Sequence, residues 1–324
     1  MPFPFNFFVA AFGGAFLTSL LGLPLWRQWC LRVHLVDDPG ARKIHDKPVP
    51  LAGGLAVLAG VLAPLALGAA LLELNTLRMS AASAILYGLR RRAVELAVLA
   101  LGAVGITVLG WLDDRHELKS LPKFAGQLAV ALGVAGAGAR ITLFVPNVFF
   151  SYAVTVLWIL TVINAFNFMD NMNGLCAGLG AIGAFLFATV AAVRGEYLIT
   201  ATGLLMSGAL LGFLPWNFPR ARAFLGDSGS HLTGYLLAVM AILPHYYTRE
   251  EPRRLAVLSP LLILAVPLID LAQVVMVRLT RRKPFWIGDT NHLSHRLVQA
   301  GLNKTDAVLV LWLGALLIGV WSTL

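Results

Sequence analysis

Residues 148–174 read VFFSYAVTVLWILTVINAFNFMDNMNG. Positions 148–163 carry no charge, and then Asn164, Asn167, Asp170, Asn171 and Asn173 crowd together. A bilayer-spanning helix needs about 20 mostly apolar residues, and this stretch supplies them. The dense polar end marks where such a span leaves lipid. On a continued helix Asn167, Asp170 and Asn173, spaced by three, share one face of side-chain oxygens. Such oxygens suit Mg2+ and also nucleobase edges. A polar helix end before Gly174 accounts for one or two of these residues, not for five.

The whole chain follows this pattern. Of its 324 residues 58% are hydrophobic and 13% charged, and the mean hydropathy is +0.79. A soluble domain carries about 25% charged residues, so the chain reads as an integral membrane protein. Cys30 and Cys176 stand too far apart to indicate a disulfide framework or a metal cluster. A net charge of +9 would point to nucleic acid in a soluble protein. Here it reads as cytoplasmic loops and anionic substrates at a membrane, with no nucleic-acid partner. The first apolar segment lacks a basic leader and a small-residue cleavage site and reads as a retained span.

Ten apolar segments are expected to span, near 5–25, 51–73, 93–112, 123–139, 148–166, 175–193, 198–214, 229–245, 255–276 and 306–323. They predict an all-α, polytopic membrane protein forming a single domain over residues 1–324. Most of the 25 Lys and Arg residues fall on the loops 26–50, 113–122, 167–174, 215–228 and 277–305. The positive-inside rule makes those loops cytoplasmic and puts both termini outside, against the opposing run Arg90–Arg92. The polar constellations also lie on those loops, while helix interiors hold few ionisable residues, chiefly Glu95 and Asp270. A transporter would place functional polar groups near the midplane. The pattern therefore favours a cytoplasmic active site that works on a lipid headgroup.

Five loops carry the chemistry. DDPGARKIHDKPVPLAGG offers Arg42, Lys43, His45 and Lys47 before a span opened by Gly53 and Gly54, where a helix N-terminus could meet phosphate. Taken alone it equally reads as a basic membrane anchor. GWLDDRHELKSLPKF pairs Asp113 with Asp114, whose repulsion calls for a cation, and adds Lys119 and Lys123. A solvated ion-paired loop explains it as well. NAFNFMDNMNG follows. FLGDSGSHLTGY sets Asp227 and Ser228 between Gly226 and Gly229 at a helix start, where either polar residue could serve as N-cap and Asp227 as metal ligand. RRKPFWIGDTNHLSHRL places His292 and His295 three apart among Arg281, Arg282, Lys283 and Arg296, a pattern suited to phosphate more than to zinc.

Together these five motifs resemble, in order along nearly the whole chain, the polyprenyl-phosphate N-acetylhexosamine-1-phosphate transferases of glycosyltransferase family 4. The first and last motifs look closer to the WecA/TagO branch than to the MraY branch. The resemblance implies transfer of an N-acetylhexosamine 1-phosphate, foremost GlcNAc-1-phosphate, from a UDP-sugar to undecaprenyl or another polyprenyl phosphate, with release of UMP. It implies Mg2+, with Mn2+ as the alternative, held by Asp227 and Asn167. It makes Asp113, Asp114 and Asp170 the catalytic carboxylates. Arg42, Lys43, His45, Lys123, Asn173, Gly226, Ser228, Arg282, His292, His295 and Arg296 become substrate contacts. It implies a multi-pass cell-membrane enzyme among lipids and allows a homodimer. Two positions depart from the family pattern. Ser294 stands where relatives near WecA carry a third histidine, so a hydroxyl or Arg296 must substitute. Asn173 stands where bacterial members carry a second aspartate. An inactive relative and a lipid or solute transporter are the rival readings.

Overall fold

The structure, a computed structural model, describes residues 4–38, 48–74, 82–143, 145–244, 254–282 and 291–323. Helix α1 (Phe5–Arg32) leads into two short antiparallel strands, β1 (Val36–Asp37) and β2 (Val49–Pro50), with Val36 opposite Pro50. Then come α2 (Gly53–Glu73), α3 (Ala82–Arg91), α4 (Ala93–His116), α5 (Ser120–Gly136), α6 (Val148–Met169), α7 (Leu175–Val193), α8 (Tyr197–Asn217) and α9 (Gly226–Met240). The chain closes with α10 (Ser259–Ile263), α11 (Ala265–Thr280), α12 (Leu293–Gln299) and α13 (Lys304–Val320).

The protein is mostly helical, as expected, with the β1–β2 pair as the small departure from all-α. Every apolar segment expected to span overlaps a helix. Yet among the described residues six helices are long and apolar enough to cross a bilayer: α1, α2, α4, α6, α7 and α8. A seventh is reached by joining the α10 region to α11, which meet at a 69° bend. Helices α5, α9 and α13 have 17, 15 and 17 residues and are shorter than those six. Helix α3 was not expected. It is a ten-residue amphipathic helix ending in Arg90 and Arg91, and Arg90 pairs with Glu73 at 2.7 Å. Large apolar side chains such as Leu25, Val94, Leu101 and Leu157 are exposed, as lipid-facing positions are.

Helix α9 is the centre of the bundle. Gly226 and every residue from Ser228 to Met240 are buried, and α2, α4, α6 and α7 pack around it. Fifteen residues rise roughly 22 Å, short of the bilayer's ~30 Å hydrocarbon thickness. Protein rather than lipid surrounds this helix, so full span length is not required of it. Small residues admit the neighbours: a methyl at Gly110 would overlap the Asp227 carbonyl, and one at Gly54 would overlap the Ser228 hydroxyl. Gly110→Ala is therefore expected to lower the thermal midpoint in detergent, since overpacking costs about 1–3 kcal/mol. Gly133→Ala, with nothing within 4 Å, should leave the midpoint unchanged.

Candidate active site

The α6 end does not continue as helix through Asn173. Met169 is its last residue, Asp170 is the C-cap, and Gly174 turns the chain at φ 79° into α7. Asn173 therefore leaves the helical face expected for it, and its Nδ2 donates to Pro219 O at 3.1 Å. The other polar residues of the stretch reach different elements. Asn164 Nδ2 donates to Gln127 Oε1 on α5 at 2.9 Å. Asn167 Nδ2 donates to Asp227 Oδ1 at 2.6 Å and to Ser230 Oγ at 3.1 Å, both on α9. Asn171 Nδ2 donates to Phe168 O at 2.6 Å, and Asn171 Oδ1 accepts from Ser294 Oγ at 2.7 Å. Asp170 accepts from the Gly226 N–H. Five polar side chains thus tie the end of α6 to α5, α9, α12 and the turn before α9.

The acidic centre gathers from four elements. Lys123 on α5 lies 2.6 Å from Asp113 Oδ2 and 2.9 Å from Asp227 Oδ2, bridging α4 and α9. Asp113 Oδ1 also accepts the Leu118 N–H at 2.8 Å. Asp114 does something the sequence did not disclose. Its Oδ1 accepts the Asp227 N–H at 2.7 Å and its Oδ2 the Ser228 N–H at 3.1 Å. A carboxylate from α4 therefore caps the first turn of α9, satisfying amides that have no partner within the helix and meeting the positive end of its dipole. No side chain caps α9 locally, so the expectation of Asp227 or Ser228 as N-cap gives way to Asp114. Gly226 allows the arrangement because its φ of 72° and the close Asp114 carboxylate leave no place for a Cβ.

Charge is unevenly balanced here. Among the described residues, Lys123 is the ammonium that Asp113 and Asp227 meet, and Asp114 and Asp170 stand beside Asp227. Burial, then the charges of Asp227 and Asp114, push the Asp170 carboxyl up to about 8.

Behind this centre lies a buried polar layer that sequence reasoning passed over. Gln127 Nε2 is 3.4 Å from His231 Nε2, and Gln127 accepts from Asn164. His231 is 0% exposed. A signal existed, for Lys123 and Gln127 are four apart, as are Asp227 and His231, while Asn164 and Asn167 are three apart. Each pair shares a helix face.

A second group stands on the other side of α6. His292 Nδ1 lies 2.7 Å from Asp270 Oδ2, and its ring meets Phe168 edge-on at 5.6 Å and His295 at 5.8 Å. The Arg278 guanidinium stacks on Phe168 at 4.9 Å. His295 is partly buried, whereas Arg282 and Arg296 are exposed. Arg42, Lys43 and His45 lie outside the described residues. Gly53 and Gly54 do not face phosphate, for their N–H groups donate to Phe224 O and Leu225 O and both residues are packed under the start of α9. Gly226 and Ser228 are likewise buried.

The profile described as Glycosyl transferase family 4 covers residues 96–245, which hold both acidic helix ends and the asparagine stretch. A Bacillus subtilis protein called a probable undecaprenyl-phosphate N-acetylglucosaminyl 1-phosphate transferase is 34% identical, over 94% of this chain and 81% of its own. The chain belongs to glycosyl transferase family 4. A decaprenyl-phosphate N-acetylglucosaminephosphotransferase of Mycobacterium leprae is 34% identical over 95% of this chain and 80% of its own. The Escherichia coli undecaprenyl-phosphate alpha-N-acetylglucosaminyl 1-phosphate transferase is 26% identical over 94% and 80%.

Ser294, the departure from the family pattern in the last motif, is 0% exposed and bonded to Asn171. Its hydroxyl is a tie between α12 and the α6–α7 turn, not a substitute imidazole. Ser294→His, which restores the residue common near this branch, is expected to destabilise the protein by about 1–3 kcal/mol through overpacking. Thermal unfolding and turnover of the purified variant check this, and higher activity with unchanged stability would count against the packing account.

Proposed function

We propose that the protein transfers GlcNAc 1-phosphate, or a closely related N-acetylhexosamine 1-phosphate, from its UDP-sugar to undecaprenyl or another polyprenyl phosphate, releasing UMP. The observation that carries this reading is the convergence of Asp113, Lys123, Asn167, Asp170 and Asp227 from α4, α5, α6 and α9. It joins the printed activities of relatives that align along most of the chain. This reading takes ten spans, counting α5, α9, α13 and the bent α10–α11 pair, and a site at the cytoplasmic face of the cell membrane; the concentration of Lys and Arg on the loops of that side supports it.

The reaction forms a bond from an acceptor phosphate oxygen to the β-phosphorus of the UDP-sugar and breaks the bond from that phosphorus to the bridging oxygen, which leaves with UMP. A phosphate monoester with a second pKa near 6 is already mostly dianionic at neutral pH. No side chain has to remove a proton from it. The protein's work is to position two anionic substrates and to offset their charge, the two effects that contribute most to phosphoryl transfer. Lys123 supplies a cation held between Asp113 and Asp227. Because the acceptor is already dianionic, direct in-line attack is favoured over a covalent aspartyl intermediate. Arg282, His292, His295 and Arg296 serve the sugar-nucleotide phosphates, Asn173 the uracil, and Arg42, Lys43 and His45 the substrates' anionic groups.

The donor set suits Mg2+. It is carboxylate and amide oxygen, with four acids close together and, among the described residues, the ammonium of Lys123 between two of them. Among the described residues no three His, Cys, Asp or Glu side chains form a metal cage. Mg2+ uses one or two carboxylates together with waters and substrate phosphates, so no cage is required. Asp227, with Asn167 and Asp170, would hold it, and Mn2+ could replace it. When bound, it would neutralise charge on the diphosphate.

Purified protein with Mg2+, undecaprenyl phosphate and a panel of UDP-sugars is expected to release UMP with at least one sugar and to stop when EDTA is added. Asp227→Ala should lower turnover on the order of 10²-fold or more, the scale of losing one charge-stabilising group. Absence of UMP from every sugar would defeat the transferase reading. Wild-type turnover by Asp227→Ala would defeat the metal assignment alone.

A further inference from the structure

Helix α11 is apolar along most of its length, yet Asp270 lies inside it at 0% exposure. Burying a carboxylate so completely is costly unless its oxygens are matched. Both are. Oδ2 is 2.7 Å from His292 Nδ1, and Oδ1 accepts the Leu293 N–H at 2.6 Å. One turn further along the same face, Gln273 Nε2 donates to Asn291 O at 2.8 Å. Two side chains of α11 thus hold three consecutive residues, Asn291 to Leu293, at the entrance to α12. Phe168, stacked under Arg278, sets the edge-on contact that fixes the plane of the His292 ring.

With Nδ1 engaged, Nε2 is the one ring nitrogen of His292 left for another partner. We propose that Asp270 is a positioning residue that fixes the tautomer and orientation of His292, so that Nε2 meets a phosphate of the sugar nucleotide. The inference rests on the transferase reading above. The physical logic is that of an aspartate orienting a catalytic histidine, or of an outer partner orienting a metal-bound one.

Asp270→Asn tests it. Asparagine keeps the shape and an acceptor for the Leu293 N–H, but it can present an amide N–H to Nδ1 and so favours the opposite tautomer. The expected result is a kcat/KM for the UDP-sugar lowered about 10–100-fold, the range seen when an orienting partner is lost. KM for the polyprenyl phosphate should be unchanged. In a His292→Gln background the same substitution should change kcat/KM by less than about twofold, because Asp270 acts through the ring. Wild-type kinetics for Asp270→Asn, or an equal loss with and without His292, would overturn the inference. If Asp270→Asn does not accumulate, the pair is replaced together as Asp270→Leu/His292→Leu. Activity within about threefold of His292→Gln supports the proposal, and a further loss overturns it. Failure of the underlying reading looks different: the wild-type protein would release no UMP from any UDP-sugar.

Discussion

The structure hangs on the capping of α9 by Asp114. A helix that starts inside a bundle has unpaired amides in surroundings where water cannot serve them, and each one left unmatched costs on the order of 1–3 kcal/mol. Asp114 settles two of them at once and brings a negative charge to the positive end of the helix. That contact pins α4 to α9 end to end. It needs Gly226 in a left-handed conformation and Gly110 bare against the Asp227 carbonyl. Asp227 is then placed by the backbone before any side-chain contact acts on it. Lys123 and Asn167 take up its two oxygens from opposite sides, so α5 and α6 are registered against the same helix turn. The acidic centre is therefore a consequence of how the central helix begins.

The same neighbours explain why the two adjacent aspartates of α4 cannot share a role. Successive side chains on a helix diverge by about 100°. Asp113 turns toward Lys123, while Asp114 turns under α9. One faces the ammonium and the other faces the first amides of α9. Burial first, and then the charges of Asp227 and Asp114, raise the Asp170 carboxyl beside them.

Much of the helical plan was legible because lipid imposes it: apolar runs of span length have few alternatives, and each expected run overlaps a helix. The plan is less regular where protein replaces lipid. Helix α9 is short because neighbours cover it, and α10–α11 bends between Pro260 and Pro267 where one continuous span was expected. The acidic and amide residues of the site were readable from type and position, since Asn167, Asp170, Asp227 and Lys123 do gather. What was hidden is what depends on partners distant in sequence. Asp114 as a cap lies 113 residues from the amide it serves. Gly53 and Gly54 looked like a phosphate cradle, but their amides belong to Phe224 and Leu225. Polar residues within apolar helices, Gln127 and Asp270 above all, were the available signal for the buried layers on either side of α6.

The asparagines at the end of α6 now separate by task. An asparagine offers a donor and an acceptor on one short side chain, and aspartate in its charged form offers acceptors only. Asn164, Asn167 and Asn171 each use Nδ2 as a donor to an oxygen of the protein: a glutamine carbonyl, an aspartate carboxylate and a backbone carbonyl. Asn173 does the same toward Pro219 O. A charged aspartate at 173 would set an acceptor against that carbonyl and lose the tie between the α6–α7 turn and the segment leading to α9. The amide at this position accordingly matches the backbone carbonyl beside it. Its Oδ1, rather than the amide nitrogen, is the group that this chain turns to any further partner. The asparagine richness of the stretch follows from the number of oxygen acceptors converging there, each needing a donor that brings no additional negative charge to a centre already dense with carboxylates.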